Sequence, residues 1–130
     1  MEKTLYLLFN HPLTPEQQAD ARASLQVGRF VEMPEELKQL WRQVPPDKNT
    51  NLIIYLEPIK IWIEKAKSDD YVLIQGDYGA AYHLVSYCLE GNYGIPVYST
   101  TVRQTQEVKQ PDGSIEVRRS IKHVQFREYV

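Results

Sequence analysis

Two short apolar runs constrain this chain more than anything else in it. Thr4 to Phe9 (TLYLLF) and Tyr71 to Ile74 (YVLI) are almost unbroken by polar residues. Such runs read as strands buried on both faces of a parallel sheet, where no side of the strand meets water. A parallel sheet needs crossover helices, and the intervening sequence supplies them. Thr14-Pro15-Glu16-Gln17 is a helix start, with Thr14 as N-cap, Pro15 at the first helical position and Gln17 placed for a capping box. This helix is expected to reach about Leu25, and Arg29 to Met33 reads as a second short strand after Gly28.

Pro34 opens another helix, whose apolar residues Leu37, Leu40, Trp41 and Val44 follow i, i+3, i+4, i+7 spacing. Pro45-Pro46 ends it. Asn51 to Lys67 carries a helical stripe of Leu52, Tyr55, Leu56, Ile59, Trp62, Ile63 and Ala66, although its first six residues are also compatible with a strand. The stripe favours a helix, kinked near Pro58. After the Tyr71 strand, Ala81, Leu84, Val85 and Cys88 mark the inner face of a helix ending near Gly91-Asn92, and Pro96 to Ser99 forms a further strand. The order βαβααβαβ implies an α/β, Rossmann-like, mostly parallel sheet with right-handed crossovers.

Residues 101–130 differ from the α/β core of residues 1–100. Thr101 to Lys109 alternates loosely, Gln110-Pro111-Asp112-Gly113 is a turn, and Ser114 to Val117 resumes the alternation, so a C-terminal β-hairpin is expected. Ile121 and Phe126 do not share parity, which places a bulge or break in the return strand. The 130 residues suit one domain. Hydrophobic residues make up 42% and charged residues 25%, a composition that argues against disorder.

Net charge is −2, with −4 over residues 1–100 and +2 over the tail, less basic than a general binder of long nucleic acid. No apolar run approaches the ~20 residues that span a bilayer. Met1-Glu2-Lys3 leads directly into a strand rather than a signal peptide, and Cys88 is the single cysteine. A cytoplasmic, reducing setting is therefore expected.

In open parallel sheets, ligands bind beyond the carboxyl ends of the strands, where strand order reverses. With the first strand central, the reversal falls between Asn10-His11 and the turn Gln75-Gly76-Asp77-Tyr78-Gly79, with a loop carrying Thr100, Thr101 and Arg103 alongside. The two glycines of that turn suit either a tight strand-to-helix connection or close approach to a phosphate at a helix start. The turn matches neither a dinucleotide fingerprint nor a P-loop. Asp77 is either a helix N-cap or an acceptor for a ribose hydroxyl, and Gln75 has donor and acceptor to read a base edge or a ribose. His11 ends the first strand, bonded to backbone or serving in proton transfer. His123 stands among Arg118, Arg119, Lys122 and Arg127 with the same two readings, and His83 falls on the polar side of its helix. Arg103 is the cation best placed to clamp a phosphate, unless it is simply an exposed hairpin residue. No metal-ligand spacing, carboxylate pair or nucleophile elbow is present, and no cofactor is implied. An enzyme of this sequence is expected to work without metal and without a protein nucleophile.

Four segments in register, LYLLFNHPLTPEQ (Leu5–Gln17), DYVLIQGDYGA (Asp70–Ala80), PVYSTTVR (Pro96–Arg103) and KHVQFREY (Lys122–Tyr129), resemble small stand-alone type III CRISPR-associated proteins. These are Rossmann-like relatives of the CARF domain, which senses cyclic oligoadenylate. The resemblance is weakest across Arg29 to Asn51. It implies a cytoplasmic homodimer with a pocket across its two-fold axis, lined by Asn10, His11, Gln75, Gly76, Asp77, Gly79, Thr100, Thr101 and Arg103. It further implies a ring nuclease that cuts the cyclic messenger, cyclic tetra-adenylate being favoured, and so ends an antiviral signal. A protein that only sequesters the messenger is the alternative. In the cleaving case a ribose 2′-hydroxyl attacks its own phosphate, Arg103 with Lys122 or Arg118 stabilises the phosphorane, and His11 or His123 moves a proton.

Overall fold

The computed structural model describes residues 2–130. Its elements are β1 (Lys3–Leu8), α1 (Pro15–Ser24), β2 (Val27–Glu32), α2 (Glu35–Arg42), α3 (Leu52–Tyr55), α4 (Glu57–Ile63), β3 (Tyr71–Ile74), α5 (Tyr78–Gly91), β4 (Ile95–Lys109) and β5 (Ile115–Glu128). The five strands form one sheet in the order β2-β1-β3-β4-β5, parallel except for the antiparallel pair β4–β5. This is the expected Rossmann-like α/β arrangement, with β1 between β2 and β3 and the reversal of order between β1 and β3.

Alternation along the strands divides the interior into two layers. Leu5, Leu7, Tyr71, Leu73 and Val97 face one side with Ala21 of α1 and Phe126 of β5. Leu8, Val72 and Ile74 face the other, against Trp41, Leu56, Ile59, Trp62, Ile63, Leu84 and Cys88 of α2, α4 and α5. All four residues of β3 are buried, in agreement with the reading of YVLI as a strand without a wet side. Burial raises the Cys88 thiol to about 12, so it sits in the core as an unreactive apolar group.

Three local expectations are met in detail. Thr14 caps α1 in a complete capping box with Gln17. Asp77 caps α5 by accepting from the Ala80 amide at 3.0 Å. The helix expected to kink near Pro58 is interrupted two residues earlier, at Leu56, into α3 and α4, with Pro58 in the first turn of the second piece, where its missing donor costs nothing.

Two expectations are corrected. Strand β4 does not stop at Ser99: it continues without interruption to Lys109, so Thr100, Thr101 and Arg103 belong to a strand and not to a loop. The division between core and hairpin near residue 100 therefore falls inside one element. His83 is half-buried rather than on the surface, and its Nε2 is enclosed without a partner. Burial and then the charge of Lys60 hold the imidazole below its ordinary value.

The anticipated irregularity in the return strand is a bulge. Thr100 pairs with Gln125 while Thr101 pairs with His123, which leaves Val124 as the extra residue. A bulge of this kind resets the alternation. It turns His123 and Phe126, three residues apart, onto the same face of the sheet.

The glycine of the β3–α5 turn is needed for packing. A Cβ on Gly76 would lie 2.8 Å from the indole of Trp41, whose Nε1–H donates to the Gln75 carbonyl at 3.0 Å. Trp41 is only 1% exposed and has nowhere to move. Gly76→Ala is expected to lower stability by about 1–3 kcal/mol, the usual cost of overpacking. Urea titration followed by tryptophan fluorescence measures it.

Candidate active site

The face of the sheet that packs on α1 runs past the carboxyl ends of the strands into a cleft. Following Leu7 on β1, Leu73 on β3 and Val97 on β4, the next residues of the same parity are Phe9, Gln75 and Ser99. Thr101 and His123 extend that face onto the β4–β5 pair. The α1 capping box closes the opposite wall. Phe9, His11, Thr14, Glu16, Gln17, Gln75, Ser99, Thr101, Ile121 and His123 together line a cavity of about 390 Å³.

His123 is the most constrained group there. Its Nδ1 meets the Ser99 hydroxyl at 2.5 Å and its Nε2 meets the Asp20 carboxylate at 2.8 Å. Its side chain is 4% exposed. Asp20 also accepts from the Phe126 amide at 3.1 Å and from the Ser24 hydroxyl at 2.6 Å. Burial alone raises the Asp20 carboxyl, but the bonds from Ser24, His123 and Phe126 outweigh it and hold the group below the usual carboxylate value. Asp20 is therefore an acceptor only, and Nε2 of His123 must carry the proton between them. A neutral imidazole in that tautomer offers Nδ1 as the acceptor for Ser99.

Gln75 is committed as well: its Oε1 accepts from the Ser99 amide at 2.7 Å, which leaves the Nε2 end as the donor it can turn toward a ligand. His11 is exposed at the mouth and stacks edge-on against Phe9 at 5.5 Å. It also borders two shallower hollows. One, of about 190 Å³, is shared with Phe9, Asn10, Gln75 and Gly76. The other, of about 230 Å³, is shared with Asn10, Glu32, Lys38 and Arg42. His11 thus stands between the Ser99–His123 wall and two cations of α2.

Of the residues singled out from sequence, His11, Gln75, Thr101 and His123 line the main cavity, and Asn10 and Gly76 line the hollow beside it. The others do not line it. Asp77 is occupied as a helix cap, and Gly79 has ordinary room for a side chain and no special approach. Thr100 points to the other face, where its hydroxyl donates to the Gln125 carbonyl at 2.7 Å and accepts from the Gln125 amide at 3.2 Å. Lys122 and Arg118 share that far face, opposite Val102 and Gln106. Arg103 stands on the cavity face opposite Ile121 but is exposed and outside the lining, because β4 carries it outward instead of folding it back.

The sequence reading missed Asp20, Glu16, Gln17, Lys38 and Arg42, and passed over Ser99 for want of an elbow motif. A signal for Asp20 was present: Gln17, Asp20 and Ala21 form an inward patch on α1 that is mostly polar, and an inward polar patch must meet polar partners. Among the described residues no three side chains cluster as metal ligands, and no helix is long and apolar enough to cross a membrane.

The class defined by these features is a Rossmann-like α/β domain with a histidine-lined cleft at the switch point of its sheet. Residues 3–127 match the uncharacterized protein MJ1673 family, and the chain belongs to it. A relative from Methanocaldococcus jannaschii, the uncharacterized protein MJ1673, is 47% identical over 126 residues, covering 96% of this chain and 95% of that protein. No solved structure matches.

The Asp20 bonds make a pH prediction. An unfolded aspartate titrates near ~3.9, and the folded value is lower, so the stability Asp20 supplies is complete above about pH 4 and is lost as pH falls through the folded value. The stability gap between the wild type and Asp20→Asn is expected to be widest at neutral pH and to narrow on acidification. Urea midpoints of both proteins across the acid range check this.

Proposed function

We propose that this protein binds a cyclic oligoadenylate, cyclic tetra-adenylate in preference, and cuts it by attack of a ribose 2′-hydroxyl on the adjacent phosphate. The observation that carries this reading is that two histidines, His11 and His123, line one cavity at the switch point. In-line transfer of this kind needs a base at the attacking hydroxyl and an acid at the leaving oxygen, on opposite sides of the phosphorus. His123 sits on the base side with Asp20 behind it, and His11 serves as the acid at the open mouth. The positioning itself contributes on the order of 7–11 kcal/mol, so neither a metal nor a covalent intermediate is required.

Further support comes from size and charge. A cavity of about 390 Å³ has room for one nucleotide unit and not a whole ring, which suits the pocket shared by two copies that the resemblance implies. Lys38 and Arg42, beyond His11, supply the phosphate-facing cations that the sequence resemblance gave to Arg103. On the resemblance to CRISPR-associated proteins, this activity would end a second-messenger signal in the cytosol.

Purified protein incubated with cyclic tetra-adenylate in EDTA is expected to yield linear products ending in 2′,3′-cyclic phosphate, identified by chromatography and mass spectrometry. His11→Ala, at an exposed position, is expected to fold normally and to slow cleavage by about 10²–10⁴-fold. Intact ligand co-eluting with the wild type means a sequestering protein. Absence of both binding and cleavage overturns the reading.

A further inference from the structure

The wall of the cavity formed by His123 has a property that the two-histidine scheme leaves unexplained. Both ring nitrogens are already bonded inside the protein, Nδ1 to Ser99 and Nε2 to Asp20, and the ring is almost completely covered. A ribose in the cavity therefore has no direct approach to an imidazole lone pair. What it can approach is the Ser99 hydroxyl, which lines the cavity on one side and touches Nδ1 on the other.

We propose that Ser99 is a catalytic residue of this cleft, its hydroxyl carrying the ribose proton to His123. The proposal rests on the reading of the cleft as a phosphodiester-cleaving site. In the step, the substrate 2′-hydroxyl gives its proton to Oγ of Ser99 as Oγ gives its own to Nδ1 of His123. The O2′–P bond forms and the P–O5′ bond breaks. The departing O5′ takes a proton from His11. Ser99 ends as it began, His123 holds one extra proton, and His11 has lost one, so a proton passing back through solvent resets the site.

Three features of the fold support Ser99 in this place. Its amide is held by the Gln75 side chain, which fixes β4 against β3 where the parallel pairing ends. The bulge at Val124 brings the His123 ring onto the face that Ser99 occupies; without the extra residue the ring would point away. Asp20, ionised and accepting the hydrogen bond from Nε2–H, stabilises the imidazolium that forms, and so acts as a positioning residue through His123. The other hydroxyls of the cavity lack this connection. Thr14 Oγ1 is spent on the Gln17 amide in the capping box. Thr101 sits across from His123 on the neighbouring strand, but Ser99 is the residue that meets Nδ1.

The test uses the full-length chain and cyclic tetra-adenylate. Ser99→Ala, His123→Gln and the double variant are assayed for kcat and KM, and thermal melts confirm that each remains folded. Ser99→Ala is expected to lower kcat by about 10²–10⁴-fold, the usual worth of a proton-transfer group, with KM changed little. The double variant is expected to be no slower than the worse single, because the two residues form one proton path. Ser99→Thr, which keeps a hydroxyl, recovers part of the rate. In ¹⁵N spectra of the wild-type imidazole, Nε2 is expected to carry the proton, and the Nδ1 resonance is expected to shift in Ser99→Ala. A fully active Ser99→Ala protein, or losses that multiply in the double variant, overturns the relay while leaving the ring-cleaving reading in place. If Ser99→Ala does not fold, a wild-type spectrum with the proton on Nδ1 overturns the relay by itself. A wild type that cleaves nothing overturns both.

Discussion

One carboxylate holds the working parts of this protein together. Asp20 on α1 bonds to a side chain and a backbone amide of β5, more than a hundred residues away in sequence. The sheet could form without it, since β1, β3 and β4 carry their own buried rows. The cleft could not, because its two walls belong to the first helix and the last strand. Few apolar residues on α1 face the sheet, and its buried positions are Gln17 and Ala21. Directed polar bonds therefore supply the attachment that an ordinary helix obtains from leucines. Such bonds fix orientation as well as contact, because a hydrogen bond is directional where apolar packing is not.

The parts of the fold legible in the sequence were those set by local rules. Continuous apolar runs gave β1 and β3, the Thr14–Gln17 spacing gave the start of α1, and mismatched parity between Ile121 and Phe126 gave the bulge. Where a ligand site lies in such a sheet follows from topology, and His11 and Gln75 stand there. The errors share one physical cause. Nothing in Ser99-Thr100-Thr101 says whether a strand ends at the sheet edge or runs on, because continuation depends on a pairing partner two dozen residues downstream. Once β4 is known to continue, alternation sends Thr100 away from the cavity and carries Arg103 outward. Asp20 was hidden for a related reason: its partners are set by tertiary pairing, and one of them depends on the bulge.

The cleft has an uneven electrical character. Its deep wall pairs a histidine with an ionised aspartate, and its mouth opens toward Lys38 and Arg42 on α2. Glu32 lies in the same hollow and bonds Lys38 at 3.5 Å, which tempers the attraction. Proton-accepting groups are thus inside and anion-attracting groups outside.

The continuity of β4 has a mechanical meaning. From Ser99 the same strand runs ten residues to Lys109, on the order of 33 Å at strand rise, as half of a ribbon whose residues 101–107 and 111–122 are exposed. On the return strand the run of exposed residues is first broken at His123. A push at the ribbon tip therefore acts through a long lever whose fulcrum is the Ser99–His123 contact, and anything that grips the ribbon also grips the wall of the cavity.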